Sequence, residues 1–231
     1  MNLSLKTASE KRIELKELFP FRYYTKVLKS IMSSSLAFRR IYPTRRISSI
    51  YFDNSNYSAM EDSIEGNSLR SKKRIRWYGL EKQRVKASLE IKKKQGYVSW
   101  KRKYDSIYDI NTKSKKWYIF LRCNDKDKEA YNLLNLDPKS IVTYDREYFG
   151  SFNKKIRITV DHNINYYHQH IKDYVNTNKG TKLENQIVVE IKLDHQDEDF
   201  LSKVLQDIPF TPRRFSKYCE SLVPQKYFYL L

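Results

Sequence analysis

The run from Lys72 to Gly79, Lys-Lys-Arg-Ile-Arg-Trp-Tyr-Gly, constrains the fold most tightly, because its residues sort by parity. Side chains of a β-strand point to opposite faces in turn, so Lys72, Arg74, Arg76 and Tyr78 share one face and Ile75 and Trp77 the other. Bases two residues apart lie roughly 7 Å apart along a strand, a row of charged forks able to grip consecutive phosphates. A single strand of this kind is equally well a half-exposed strand with a basic solvent face. Recurrence of the pattern decides between the two.

The pattern recurs. Ile13 and Leu15 oppose Arg12, Glu14 and Lys16; Leu89 and Ile91 oppose Glu90, Lys92 and Lys94. After a turn at Gln95-Gly96, Tyr97 to Tyr104 returns with Lys101 and Lys103 on one face. Ile141 to Phe149 groups Tyr144, Arg146 and Tyr148, and beyond the 150–153 turn Lys155, Arg157, Thr159 and Asp161 alternate with Ile156, Ile158 and Val160. In Asn185 to Leu193, Glu190 and Lys192 oppose an unbroken row of Ile187, Val189, Ile191 and Leu193. Ile47 to Asp53 is a further β-rich run.

Helical spacing predicts a helix through Tyr24, Val27, Leu28 and Ile31, and a short one through Tyr57, Met60 and Ile64, capped by Asp53-Asn54 and closed by Gly66. Two covering helices are expected within 111–136, and another through Phe200, Leu201, Val204, Leu205 and Ile208. The chain then carries a compact basic and aromatic cluster, Arg213 to Cys219.

Lysine and arginine number 45 against 27 acids, a net charge of +18 over 231 residues, so a polyanionic partner is expected to offset the self-repulsion. Charge alone does not choose among nucleic acid, an anionic membrane and a phosphate-rich small molecule. Nineteen tyrosines and eleven phenylalanines exclude a disordered basic tail. Only Cys123 and Cys219 occur, without metal-ligand spacing, and His168-x-His170 sits among polar and aromatic neighbours, so no disulfide framework or zinc site is expected. Residues 1–16 hold no signal-like apolar run, and no stretch reaches the roughly 20 apolar residues of a membrane span. A cytoplasmic protein of one domain, residues 1–231, without membrane insertion, is the expectation.

Bases dominate the polar faces of six or seven strands, where an ordinary surface mixes both signs. Closing these strands into a barrel turns the charged rows inward around a lumen and leaves the apolar faces beneath helices. The fold class expected is therefore α+β, a closed antiparallel β-barrel with a basic lumen. A solvated open sheet is the competing reading, with Lys94, Lys103 and Lys155 as plain surface charges and Trp77 and Trp117 as core.

Taken in order, Ser49 to Asp53, Arg74 to Gly79, Glu90-Ile91-Lys92, Tyr144-x-Arg146, Arg157-Ile158, Glu190-Ile191-Lys192 and Phe215 to Tyr218 resemble the catalytic domain of the vacuolar transporter chaperone polyphosphate polymerases, members of the CYTH-like triphosphate tunnel metalloenzymes. The resemblance implies a tunnel whose bases Arg74, Arg76, Lys92, Lys101, Arg146 and Arg157 hold triphosphate or product. It further implies phosphate contacts from Tyr144, Ser216 and Lys217, and a divalent Mn²⁺ or Mg²⁺ held by Glu190. Lys16 resembles the lysine of the amino-terminal Glu-x-Glu-x-Lys element, whose first acid is here Arg12; that change favours anion holding over two-metal hydrolysis.

The implied activity is metal-dependent transfer of the terminal phosphate of ATP to a growing polyphosphate chain, with direct phosphoryl transfer and product leaving by the far end of the tunnel. ATP or another nucleoside triphosphate and inorganic polyphosphate or pyrophosphate are the expected partners. A tunnel triphosphatase and a non-catalytic polyphosphate-binding module stand as alternatives. An RNA-binding role is disfavoured, because the bases follow strand periodicity.

Overall fold

Each strand of the alternating kind has one continuous apolar face to bury, and burying them side by side makes one sheet. The computed structural model describes residues 12–79, 87–95, 98–104, 135–170 and 174–228. Among them the sheet runs in the order β1 (Arg12–Pro20), β9 (Gln186–Asp194), β7 (Ile156–His168), β6 (Asp137–Gly150), β2 (Arg39–Asp53), β3 (Leu69–Tyr78), β4 (Ala87–Gln95), β5 (Val98–Tyr104), with the short β8 (Thr181–Lys182) paired to β7. All of its pairings are antiparallel.

The apolar rows form two outer cores. One gathers Ile50, Phe52, Ile75, Trp77, Leu89, Ile91 and Ile141. Trp77 is fully buried there, as the core reading of that residue requires. The other joins Ile158, Val160, Ile187, Val189 and Ile191 to Val27 and Ile31 of α1 (Tyr24–Met32) and Val204 of α3 (Asp199–Asp207). Three expected helices thus form where the spacing put them, including α2 (Ser58–Glu65). The Asp53 carboxylate accepts the backbone N–H groups of Ala59 at 3.0 Å and Met60 at 3.1 Å, and Asn54 Oδ1 accepts that of Ser58 at 3.0 Å. Gly66 ends the helix at a φ of +81°, a backbone conformation that glycine adopts without a Cβ clash. The helices expected within 111–136, with Trp117 and Cys123, and the turn at Gly96 lie outside the described residues.

The sheet curls: Lys92 of β4, next to one end of the strand order, lies 2.5 Å from Glu14 of β1 at the other. It does not close. Among the described residues β1 pairs with β9 and β5 with β4, so the expectation of a closed barrel is corrected to an open, curled sheet whose gap is crossed by side chains. Two physical reasons are visible. The segment after α3 lies along β1, Arg213 N–H donating to the Lys16 carbonyl at 2.7 Å and Thr211 N–H to the Glu17 carboxylate at 2.5 Å, so backbone and side-chain acceptors of β1 are already used. Lys101 and Lys103 of β5 would also have to meet Arg12 and Lys16 of β1 at ladder spacing, where like charges repel.

A third cluster lies on the concave side, where α4 (Lys217–Phe228) brings Tyr218, Cys219 and Leu222 against Tyr51, Val142, Tyr144 and Val188. The helix fills one end of the curled sheet.

Candidate functional site

Strand register builds the site. Across β2, β3 and β4 it sets Ser49 beside Arg76, Tyr51 beside Arg74, and Arg74 beside Glu90; across β1, β9 and β7 it sets Lys16 beside Glu190 and Thr159 beside Glu190. Arg146 of β6 faces Asp161 of β7. All these side chains emerge from the concave face, opposite the two outer cores.

Three buried carboxylates organise the bases. Glu90, 3 % exposed, accepts from Arg74 Nε at 2.8 Å and Nη2 at 2.6 Å and from Lys101 Nζ at 2.6 Å, with Arg76 Nη1 at 3.8 Å. Asp161, fully buried, accepts from Arg146 Nε at 2.5 Å and Nη2 at 2.6 Å and from Lys217 Nζ at 2.6 Å. Around Glu190 stand Lys192 at 3.3 Å, Lys16 at 3.6 Å and Arg146 at 3.7 Å. Glu14 completes the set, with Lys92 at 2.5 Å and Lys192 at 3.7 Å.

Arg76 is held by Ser49 Oγ at 3.1 Å and Tyr144 Oη at 3.0 Å. Lys72 donates to Ser216 Oγ at 2.9 Å, and the Lys217 ammonium sits 4.7 Å from the Tyr144 ring centroid. The Arg74 guanidinium donates to Tyr51 Oη at 3.0 Å.

Burial and charge oppose each other throughout. Burial pushes the Glu14 carboxyl up, but Lys192 and Lys92 outweigh it and hold it at about 2. Burial likewise opposes the ionised forms of Glu90, Asp161 and Glu190, and the surrounding bases hold each below the usual carboxylate range. For Lys101 burial wins over the attraction of Glu90 and lowers the ammonium to about 8; Lys72 also falls to about 8, mainly by burial. Tyr51 would rise with burial, yet Arg74 and Arg76 bring it down to about 8.

Arg74, Arg76, Lys92, Lys101, Arg146, Lys217, Lys16, Tyr144, Ser216 and Glu190, expected from the sequence as site residues, share this one concavity. Arg157 stands apart: it is exposed and lines a cleft of about 380 Å³ at the mouth, together with Arg12 and Lys192. Lys155 pairs with Asp197 at 2.7 Å on the surface, in keeping with the solvated reading of that lysine. Sequence reasoning placed Lys72 in the phosphate-gripping row but did not single out Asp161, Lys192 or Tyr51 as site residues. Parity held the signal for each, since Asp161 lies two residues from Thr159 and Lys192 two from Glu190.

Among the described residues no three acids, histidines or cysteines gather into a self-sufficient metal cage. Glu190 and Glu14 both reach Lys192, so two carboxylates share one neighbourhood. A hard divalent ion fits such a donor set when phosphate oxygens complete its shell, the arrangement typical of Mg²⁺.

Comparison with known proteins finds similarity at the level of overall fold. A structure from Vibrio parahaemolyticus, solved as an adenylate cyclase candidate, superposes with a TM-score of 0.53 at 10% identity, covering 93% of this chain and 99% of that one. An adenylyl cyclase candidate from Hippeastrum with a dominant triphosphatase activity gives a TM-score of 0.47 at 13% identity, covering 92% of this chain and 96% of that one. No curated protein matches by sequence. No helix among the described residues is long and apolar enough to cross a membrane. The VTC domain model matches residues 3–223, nearly the whole chain, and the protein therefore belongs to the VTC domain family.

Proposed function

We propose that the chain is a polyphosphate polymerase, which transfers the terminal phosphate of ATP to a growing inorganic polyphosphate held in the basic concavity. The observation that carries this reading is the excess of bases over acids on one concave face of a VTC domain, where Lys16, Lys72, Arg74, Arg76, Lys92, Lys101, Arg146, Lys192 and Lys217 surround Glu14, Glu90, Asp161 and Glu190. Bases in excess of the acids beside them repel one another and are stabilised by a bound anion, and a linear polyphosphate presents anionic oxygens along its whole length.

Arg74, Arg76 and Lys101 would grip the triphosphate from one wall, and Arg146, Lys16 and Lys217 from the other. An oxygen of the acceptor's terminal phosphate attacks the γ-phosphorus while the bond to the β–γ bridging oxygen breaks, and ADP leaves. Positioning and charge neutralisation supply most of the catalysis. Mn²⁺ or Mg²⁺, held by Glu190 with Glu14 beside it, would add neutralising charge on the phosphate oxygens.

The test is incubation with ATP and Mn²⁺ or Mg²⁺, with product length resolved on a gel. Chain growth is expected. Phosphate release without chain growth would identify a tunnel triphosphatase. Tight polyphosphate binding without turnover would identify a non-catalytic binding module, a second reading favoured by the arginine hydrogen bonds that already occupy Glu90 and Asp161.

A further inference from the structure

Beyond the phosphate-holding lumen lies an aromatic rim that the reaction above does not use. The Arg45 guanidinium carbon lies 4.5 Å from the Tyr42 ring centroid, 5.7 Å from that of Tyr148 and 5.9 Å from that of Tyr78. Tyr42 and Tyr148 meet edge to face at 5.6 Å. Tyr148 is buried, whereas Tyr42 and Tyr78 are 48% and 50% exposed.

Strand geometry ties this rim to the phosphate grip. Tyr78 follows Arg76 by two residues on the concave face of β3, and Tyr148 follows Arg146 by two on that of β6, so each ring stands one pleat repeat, roughly 7 Å, beyond a lumen arginine. The same order of length, one ribose, separates the phosphates of a nucleotide from its base. Tyr42 also lines the mouth cleft of about 380 Å³ with Ile41, Arg157 and Lys192, a volume within the range of small-molecule sites. Lys192, which lines the cleft, lies 3.3 Å from Glu190, so the cleft adjoins the lumen.

We infer that this rim is a nucleobase platform: the base of the donor nucleoside triphosphate stacks at the mouth against Tyr42 and Tyr78, with Arg45 holding the rings in place. The inference rests on the reading of the lumen as the triphosphate site. Stacking through ring faces reads no base edge, so the platform accepts purines alike and separates nucleotides from bare phosphate chains.

Isothermal titration of the full chain with ATP, GTP and tripolyphosphate tests it, comparing wild type with a Tyr42→Leu, Tyr78→Leu double variant and a Tyr42→Phe, Tyr78→Phe control. The leucine variant should lose about tenfold in affinity for ATP and GTP, with tripolyphosphate unchanged and the phenylalanine control like wild type. Unchanged ATP affinity in the leucine variant, or an equal loss for tripolyphosphate, overturns the platform while leaving the lumen intact. Loss of ATP affinity in the phenylalanine control would show that the hydroxyls matter and not the rings, which also overturns it. A wild type that binds no tripolyphosphate removes the lumen reading and the platform together.

Discussion

Two walls of the same concavity hold their central acid differently. On the β3–β4–β5 wall, Glu90 is locked by hydrogen bonds of 2.6 to 2.8 Å from Arg74 and Lys101. On the β1–β9–β7 wall, Glu190 has bases on three sides at 3.3 to 3.7 Å. A carboxylate whose lone pairs are saturated by an arginine fork serves to hold that fork in place. One surrounded at longer range keeps oxygens free for a metal ion and for phosphate. The nearly identical motifs Glu90-Ile91-Lys92 and Glu190-Ile191-Lys192 thus sit in different surroundings, in keeping with the proposal that Glu190 holds the metal while Glu90 fixes Arg74 and Lys101.

Replacing each acid separates these roles. Glu190→Ala should reduce metal-dependent turnover by about a hundredfold or more while polyphosphate binding persists. Equal turnover in variant and wild type would remove Glu190 as the metal ligand. Glu90→Ala leaves Arg74 and Arg76 without their buried counter-charge and should destabilise the empty protein by about 3 kcal/mol, measured by urea unfolding, with added polyphosphate recovering part of the loss. If Glu190→Ala proves the more destabilising of the two, the contrast between the walls is wrong.

Arg76→Ala removes a guanidinium already fixed by Ser49 and Tyr144, and should weaken triphosphate binding by about tenfold to a hundredfold. An unchanged dissociation constant would take Arg76 out of the phosphate grip.

The smallest effect is that of pH, and it has opposite signs for binding and stability. Between about pH 8 and 10, Lys72 and Lys101 lose positive charge and Tyr51 gains negative charge, so anion affinity should fall as pH rises. In the unfolded chain the lysines keep their protons to about 10.5 and the tyrosine to about 10, so it binds more protons across this window and the empty protein should gain stability with rising pH. Affinity that rises with pH over this window would contradict the assignment of these groups to the lumen.

Much of the site was legible before any coordinates. Parity along Lys72–Tyr78 and Asp137–Gly150 put Arg74, Arg76, Tyr144 and Arg146 on one face, and the structure keeps them there. α1 and α3 announced themselves by apolar residues every third or fourth position. α4 did not: its run from Lys217 contains Pro224, and its early turns are buried on the lumen side among tyrosines, where no solvent-facing stripe marks a helix. β2 begins at Arg39, earlier than its apolar run suggests, because it is paired through Pro43 with shifts of register on either side.

Sequence by itself determined which face of each strand is cationic, since a period of two leaves no freedom in that choice. It determined the family as well, through short motifs kept in order. Only the tertiary structure decided which acid meets which base, because the neighbours in each cluster come from strands as far apart in the chain as β1 and β9, and no local pattern encodes their order in the sheet. The same long-range packing left the barrel open: once Thr211 and Arg213 had bonded to β1, the ladder that would have joined β1 to β5 had lost acceptors on one side and faced a row of like charges on the other.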